Sequence, residues 1–142
     1  MTPEWIQTYS GVVHPWLCDA MGHMTTRFYL AMFDDASYHY LRRIGAHAEK
    51  DHEADIGWAD IRQELDYVAE IGAGALTEVW SRPVRVGNKS MQFENELRNA
   101  DTGEVSAKCL TTTVRFDLKA RKGIVVEDAI RTQIEAWLTP AA

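Results

Sequence analysis

A single carboxylate stands a few residues ahead of a long apolar segment, in the loop Asp19-Ala20-Met21-Gly22-His23-Met24-Thr25-Thr26. The segment that follows, Arg27 to Phe33, is rich in the apolar residues of a buried helix. A helix N-terminus carries unpaired N–H groups and a partial positive charge, so it can bind an oxyanion. A carboxylate beside it supplies a base or nucleophile for attack on a polarised carbonyl. The alternative is that Asp19 only caps a loop, as Asp commonly does before a helix.

The same loop resembles the signature of a known family. It is similar to the motif of the hotdog-fold thioesterases, in the 4-hydroxybenzoyl-CoA thioesterase-like group, at four positions in register: Asp19, Gly22, His23 and Tyr29. The chain departs from that motif at Leu17, which replaces a first Asp, and at Thr25-Thr26, which replace a pair of Asn. Its Gly-His-Met-Thr form looks closer to the thioesterase domain fused to some carnitine dehydrogenases.

The resemblance implies roles for the residues around Asp19. Asp19 would act as the base for water or attack the thioester carbonyl itself. His23 would polarise that carbonyl or position water, although it could equally hydrogen-bond the loop backbone. The oxyanion hole would be the first N–H groups of the helix, with Thr26 at the position of a family amide that faces the thioester oxygen. Substrate contacts would come from four further residues: Trp16, Gly22, Thr25 and Tyr29.

The charge of the chain bears on its partners. A formal net charge of −6 argues against nucleic acid, because phosphate binding needs a basic face. An anionic nucleotide such as coenzyme A therefore needs a local basic patch, and the segment Arg85 to Ser90 supplies one. The resemblance places this hairpin near the nucleotide end of coenzyme A, which makes Arg85, Lys89 and Ser90 CoA-binding candidates. Basic residues at turns are usually only solvated, which is the alternative.

A cysteine nucleophile and a metal site near the loop have less support from the sequence. Cys18 between His14 and His23 lacks the pattern of an oriented triad, so it is expected to be a buried small hydrophobe. A metal site is not expected, because Pro15 and Gly22 prevent the i, i+4 spacing of a zinc-binding helix.

Two further carboxylates, Asp34 and Asp35, lie on the predicted helix. A second group of hotdog thioesterases carries its catalytic carboxylate on that helix, which makes them the backup candidates. The alternative is an exposed pair facing His39 and Arg42 at helical spacing.

Size and composition predict a single domain over residues 1–142. No apolar run approaches the ~18 residues that span a bilayer, and the N-terminus lacks a signal-peptide pattern. Two cysteines are too few for a disulfide framework. Together these features predict a cytoplasmic protein.

Periodicity and turn residues predict an α+β plan, with a long central helix wrapped by a curved five-stranded antiparallel sheet. This pattern alone does not distinguish the hotdog fold from other α+β folds, and it is the resemblance of the Asp19 loop that implies a hotdog. The helix runs over Thr25–Ile44, followed by a mobile connection over Ala46–Asp55, and a short helix over Glu127–Leu138 ends the chain. Pro83 indicates an edge or a bulge, and a change of phase indicates a bulge near Cys109 or burial on both faces. The five strands are Trp5–Val13, Ile56–Val68, Leu76–Val86, Ser90–Arg98 and Glu104–Leu118.

The sequence therefore predicts an acyl-CoA thioesterase acting on a small acyl group, with no cofactor apart from the coenzyme A of its substrate. Exposed sheet edges predict a homodimer or a dimer of dimers. The alternatives are a hotdog enoyl-CoA hydratase or dehydratase, and a non-catalytic acyl-CoA-binding protein. The acyl group stays open, because Trp16, Tyr29 and Trp58 would suit a quaternary ammonium, a benzoyl or a short aliphatic group.

Overall fold

The computed structural model of the chain describes residues 4–47 and 51–138. One sheet and one long helix dominate it, as the sequence predicts. The helices are α1 (Thr26–Arg43), α2 (Asp51–Ala54) and α3 (Asp128–Leu138), and Pro15–Leu17 form a 3₁₀ turn. The strands are β1 (Ile6–Val12), β2 (Ile56–Tyr67), β3 (Leu76–Val86), β4 (Ser90–Asn99), β5 (Val105–Asp117) and β6 (Lys122–Gly123).

The sheet is antiparallel, with strand order β1-β3-β4-β5-β2, and α1 packs on one of its faces. The two-residue strand β6 pairs with β5 and was not among the five predicted strands. The buried side of α1 consists of Tyr29, Met32, Phe33, Ala36 and Tyr40. The opposite side of the helix is exposed, including Tyr38. No helix in the described part of the chain has the length and apolar content needed to cross a bilayer.

The inner face of the sheet carries two apolar clusters, one toward each end of the strands. Buried polar side chains lie between them by strand register. Thr8 Oγ1 lies 2.8 Å from Ser81 Oγ, and Ser81 Oγ donates to Asn95 Oδ1. The middle of the inner face is therefore polar.

The bulge in β5 lies at Ser106, so the predicted position near Cys109 is wrong. Leu97 pairs with Ala107 and Arg98 with Val105, which leaves Ser106 as the extra residue. After the bulge, alternate residues point inward without interruption: Ala107, Cys109, Thr111, Thr113 and Arg115. Pro83 adjoins a bulge at Val84 in β3, which confirms the prediction made from this proline.

The connection predicted as mobile over 46–55 is tied to the rest of the fold on both sides of residues 48–50, which lie outside the described residues. Ala46 is fully buried, and its carbonyl accepts a 2.9 Å hydrogen bond from Trp58 Nε1. Asp51, at the start of α2, is buried and accepts two hydrogen bonds from Arg115, at 2.6 and 2.8 Å. These polar contacts lie far apart in sequence, so periodicity could not show them.

Candidate active site

The loop before α1 is closed by backbone hydrogen bonds around Asp19. The Asp19 N–H donates to the His23 carbonyl at 3.0 Å, and the Gly22 N–H donates to the Asp19 carbonyl at 3.0 Å. Gly22 has a φ of +82°, which a residue with a side chain rarely adopts. The Met21 N–H donates to Asp19 Oδ1 at 2.8 Å, so the carboxylate shapes the loop while remaining exposed. Its loop-capping role is compatible with a catalytic one.

The N-terminus of α1 is not neutralised by side chains of its own first turn. Thr25 occupies the N-cap position but makes no side-chain capping bond, and the first turn contains no acidic residue. The Thr25 N–H donates to the Leu17 carbonyl at 2.9 Å, which fixes the entry to the helix. The partial positive charge of this helix end is therefore available to an anion.

A pocket of about 230 Å³ brings four of the sequence-predicted site residues together: Asp19, His23, Thr26 and Tyr29. Its other wall comes from the end of β2 and the residues after it, including Tyr67 and Glu70. The Tyr29 and Tyr67 rings meet edge to face, with centroids 5.2 Å apart. We call this space the Asp19 pocket.

Glu70 is a residue of this pocket that sequence reasoning missed. Its Oε2 lies 3.2 Å from His23 Nε2. Residues 68–72 are brought to the loop by an isolated bridge between His23 and Gly72 and by a 2.8 Å bond from the Met24 N–H to the Ile71 carbonyl. Nothing in the local pattern around Glu70 marks it, because its partner is 47 positions away in the sequence.

Three predicted substrate residues do not line the pocket: Trp16, Gly22 and Thr25. Trp16 is 73% exposed, and its ring stacks on that of His14 with centroids 4.3 Å apart. Trp58 lines a separate cleft between α1 and β2. Trp16, Tyr29 and Trp58 therefore do not form one aromatic cage within a single chain.

The basic hairpin lies at the opposite end of the sheet from Asp19. Strand β3 begins beside Gly72, near the Asp19 loop, and runs to Val86 before the hairpin, a span on the order of 30 Å. The hairpin is closed by a 2.7 Å bond from the Gly87 N–H to the Ser90 carbonyl. Arg85 donates to Gln92 at 3.0 Å, and Lys89 is exposed. One chain alone does not bring Arg85, Lys89 and Ser90 to the Asp19 pocket.

The remaining candidates stay outside the pocket. Cys18 is half-buried rather than buried, and its Sγ lies 3.8 Å from the His14 carbonyl oxygen. Within residues 4–47 and 51–138, no three His, Cys, Asp or Glu side chains converge as metal ligands would. Asp34 and Asp35 are both exposed on α1, and Asp34 faces the cleft beside β2.

Comparison with known protein families identifies the family of this chain. A family model described as the thioesterase-like superfamily matches residues 13–134. No curated protein sequence matches the chain.

Solved structures share the fold at low sequence identity. A hypothetical protein from Staphylococcus aureus in complex with CoA superposes with a TM-score of 0.85 at 15% identity, over 100% of this chain and 90% of that one. A 1,4-dihydroxy-2-naphthoyl-CoA thioesterase from Synechocystis gives 0.77 at 18% identity, over 93% and 97% of the two chains. A probable thioesterase from Escherichia coli gives 0.77 at 19%, over 92% and 98%. The likeness confirms the predicted hotdog fold.

Proposed function

Since the chain belongs to the thioesterase-like superfamily, we propose that it hydrolyses a small acyl-CoA thioester to the free acid and coenzyme A. The observation that carries the proposal is the Asp19 pocket, in which an exposed carboxylate and the uncapped N-terminus of α1 border one space. Similarity to a CoA complex and to a naphthoyl-CoA thioesterase supports coenzyme A as the carrier.

The proposed chemistry uses only groups of the chain and water. The thioester oxygen accepts hydrogen bonds from the first N–H groups of α1, at Thr26 and Arg27, which stabilise the negative charge that develops there. Asp19 either removes a proton from a water that attacks the carbonyl carbon or attacks that carbon itself, and in both routes the C–S bond breaks and the thiolate of coenzyme A leaves. In the second route, water then hydrolyses the mixed anhydride formed on Asp19 and releases the free acid. His23 positions the water or the carbonyl beside Asp19. No other cofactor enters this scheme.

We propose that the active form is a homodimer, alone or as a dimer of dimers. Strand β2 is an edge of the sheet, and apolar side chains near its end are exposed, including Tyr67 and Val68. If two β2 edges pair antiparallel about a two-fold axis, the Ile56 end of one meets the Tyr67 end of the other. The partner's basic hairpin then approaches the Asp19 pocket, which would unite the predicted CoA-binding residues with it.

The test is a panel of acyl-CoAs with detection of the free thiol. Wild-type protein should release coenzyme A, and Asp19→Asn should lower kcat by about 100-fold or more, the usual size of an acid–base contribution. Asp101→Asn, in an exposed hairpin loop, is the matched control and should leave turnover unchanged.

The same panel separates the alternatives. Loss of the enoyl absorbance of crotonyl-CoA with the thioester intact would instead indicate a hydratase. Tight acyl-CoA binding with no turnover, unaffected by Asp19→Asn, would indicate a binding protein.

A further inference from the structure

A cleft of about 520 Å³ lies between α1 and the inner face of the edge strand β2. Asp34 and Tyr38 line it from the helix, and Trp58, Asp60 and Thr113 line it from the sheet. A smaller pocket of about 330 Å³ shares Asp34 and Asp60 with this cleft and extends along α1 to Arg27. Arg27 follows Thr26 of the Asp19 pocket in the sequence, so this smaller pocket begins close to the proposed reaction site on α1.

Two carboxylates in this cleft form no ion pair among the described residues. Neither Asp34 nor Asp60 lies within ion-pair distance of a described Lys, Arg or His. Burial raises the pKa of Asp60, and the negative charge of Asp34 adds to that rise while the nearby Thr113 hydroxyl opposes it. Both side chains line the same two pockets, so a cation placed between them would relieve their repulsion.

The neighbouring basic groups are already engaged elsewhere. Arg42 donates to the Tyr38 carbonyl at 3.1 Å, Arg115 is held by Asp51 and Glu127, and Lys119 lies 3.6 Å from Asp55. His47, which also lines the cleft, lies 3.8 Å from Asp51. Among the described residues, Arg27 and Arg42 are the cations that border these pockets, and neither forms an ion pair with Asp34 or Asp60.

Thr113 provides an independent sign of a missing ligand. Its side chain is 1% exposed and lines the cleft, yet its Oγ1 has no hydrogen-bond partner among the described residues. Buried hydroxyls are nearly always hydrogen-bonded, because leaving one unpaired loses the interaction it had with water. Thr113 also faces Asp60 across the β2–β5 ladder, so one small polar group could contact both.

We propose that this cleft binds a protonated amine, and that the amine ends the acyl chain whose thioester is cleaved beside Asp19. The second part rests on the proposed function. Two carboxylates favour a cation, and Tyr38 and Trp58 add aromatic surface of the kind that cations approach. The hydroxyl of Thr113 favours an ammonium that carries N–H groups over a fully methylated one, which has no hydrogen to donate.

The distance along α1 between the two sites sets the length of the acyl chain. Thr26 and Asp34 are separated by about 12 Å along the helix axis, from a rise of 1.5 Å per residue. Helix side chains lean toward the N-terminus, and a hydrogen-bonded ammonium stands off its carboxylate by roughly 3 Å. An acyl chain of about six carbons therefore places its terminal nitrogen at the acidic pair.

The test compares three acyl-CoAs of one length: 6-aminohexanoyl-CoA, its neutral analogue heptanoyl-CoA, and the N-trimethylated form of the first. We expect kcat/KM to be about tenfold or more higher for the amine than for either analogue, the ratio given by one charge-assisted hydrogen bond. Equal or better turnover of heptanoyl-CoA, or of the trimethylated form, would overturn the assignment of a protonated amine.

Substitutions in the cleft test which residues cause the preference for the amine substrate. Asp60→Asn and Asp34→Asn should each lower the amine-to-neutral ratio of kcat/KM several-fold. Thr113→Val should lower the same ratio while raising thermal stability, because it removes an unpaired buried hydroxyl. Asp35→Asn is the matched control: it removes the same charge one residue further along α1, outside the cleft, and should leave the ratio unchanged. A ratio insensitive to Asp60→Asn and Asp34→Asn would contradict the proposal.

Binding without turnover separates this inference from the proposed function. If no acyl-CoA is hydrolysed, the proposed function fails, and the cleft is still tested by calorimetric titration with hexylamine at neutral pH. Binding of hexylamine that is weakened by Asp60→Asn but not by Asp35→Asn would support the amine site. Absence of binding, or equal binding to both variants, would overturn it.

Discussion

Glu70 Oε2 lies 3.2 Å from His23 Nε2, in the same pocket as Asp19. The backbone before Glu70 is held by the bulge residue of β5. The Ser106 carbonyl accepts the N–H groups of Val68 and Ala69, at 2.8 and 3.1 Å, and Ser106 Oγ donates to the Ala69 carbonyl at 2.6 Å. The β5 bulge therefore places a carboxylate opposite the histidine of the loop, and Glu70 has the geometry of a positioning residue for His23.

The first prediction follows from that contact. Glu70→Ala should lower kcat on the order of tenfold with little change in KM, because a misplaced imidazole affects the reacting geometry more than binding. Glu70→Gln keeps an acceptor for His23 Nε2 and should restore most of the rate. In a His23→Ala background, Glu70→Ala should have no further effect. Additive losses in the double variant would contradict a shared role.

The second prediction concerns the buried guanidinium of Arg115. Its side chain is fully buried and bonds to Asp51 and Glu127. Asp51→Asn should lower the free energy of unfolding by about 3 kcal/mol, because it leaves a buried charge short of its partner. Asp55→Asn removes a more exposed ion pair with Lys119 and should cost about 0.5 kcal/mol or less. Urea titrations at one protein concentration measure the free energy of unfolding of both variants. Equal losses of stability in Asp51→Asn and Asp55→Asn would contradict the prediction.

A pH dependence follows from the same cluster. Hydrogen bonds from Arg115 hold the pKa of Glu127 below its usual range, against an opposing effect of partial burial. A lowered folded-state pKa contributes stability above the unfolded value of about 4.3, and that stability is lost as the pH falls through the folded value. Glu127→Gln should thus lower the free energy of unfolding at pH 7. The difference in this free energy between the variant and the wild type should shrink below about pH 4. Urea titrations over this pH range measure the difference in the free energy of unfolding. A difference that stays constant as the pH falls would show that the ion pair between Glu127 and Arg115 does not contribute to stability.

The sequence predicted the elements whose signals are local. Strand Leu76–Val86 has the predicted ends because turn residues bound it on both sides. Helix α1 differs from its prediction by one residue at each end, and the four pocket residues supplied by the motif and α1 lie together because short-range geometry joins them.

The parts that sequence patterns missed depend on contacts between distant segments. In β5 the inward row contains Thr111, Thr113 and Arg115, whereas apolar Leu110 and Val114 point the other way. Apolar alternation alone therefore does not identify the inward face of this strand. Arg115 is buried because Asp51 and Glu127 neutralise its charge. The hydrophobic periodicity of the sequence does not indicate either partner. Glu70 was missed for the same reason.

The fourth prediction tests the proposed dimer through two bulge residues. Ile61 is the extra residue of edge strand β2 and is 65% exposed, whereas Val84 is the extra residue of the interior strand β3 and is 42% exposed. Ile61→Lys should shift the protein from dimer toward monomer, because a charge on an edge strand disfavours pairing with another edge. Val84→Lys should leave the dimer intact. Light scattering over a range of micromolar concentrations measures the oligomeric state of both variants. A monomeric wild-type protein would refute the proposed dimer itself.

The fifth prediction tests whether the hairpin serves the partner's pocket. Arg85→Gln with Lys89→Gln should raise KM for an acyl-CoA and weaken its salt dependence, because phosphate contacts are lost while Asp19 is untouched. Mixing this variant with Asp19→Asn, after dissociation and reassociation, forms hybrid dimers. If the site is shared, one of the two sites in each hybrid combines an intact Asp19 with an intact hairpin, so low-substrate activity should rise above that of both parents. If each chain serves its own pocket, every site keeps one defect and no rise occurs, which would exclude the shared arrangement.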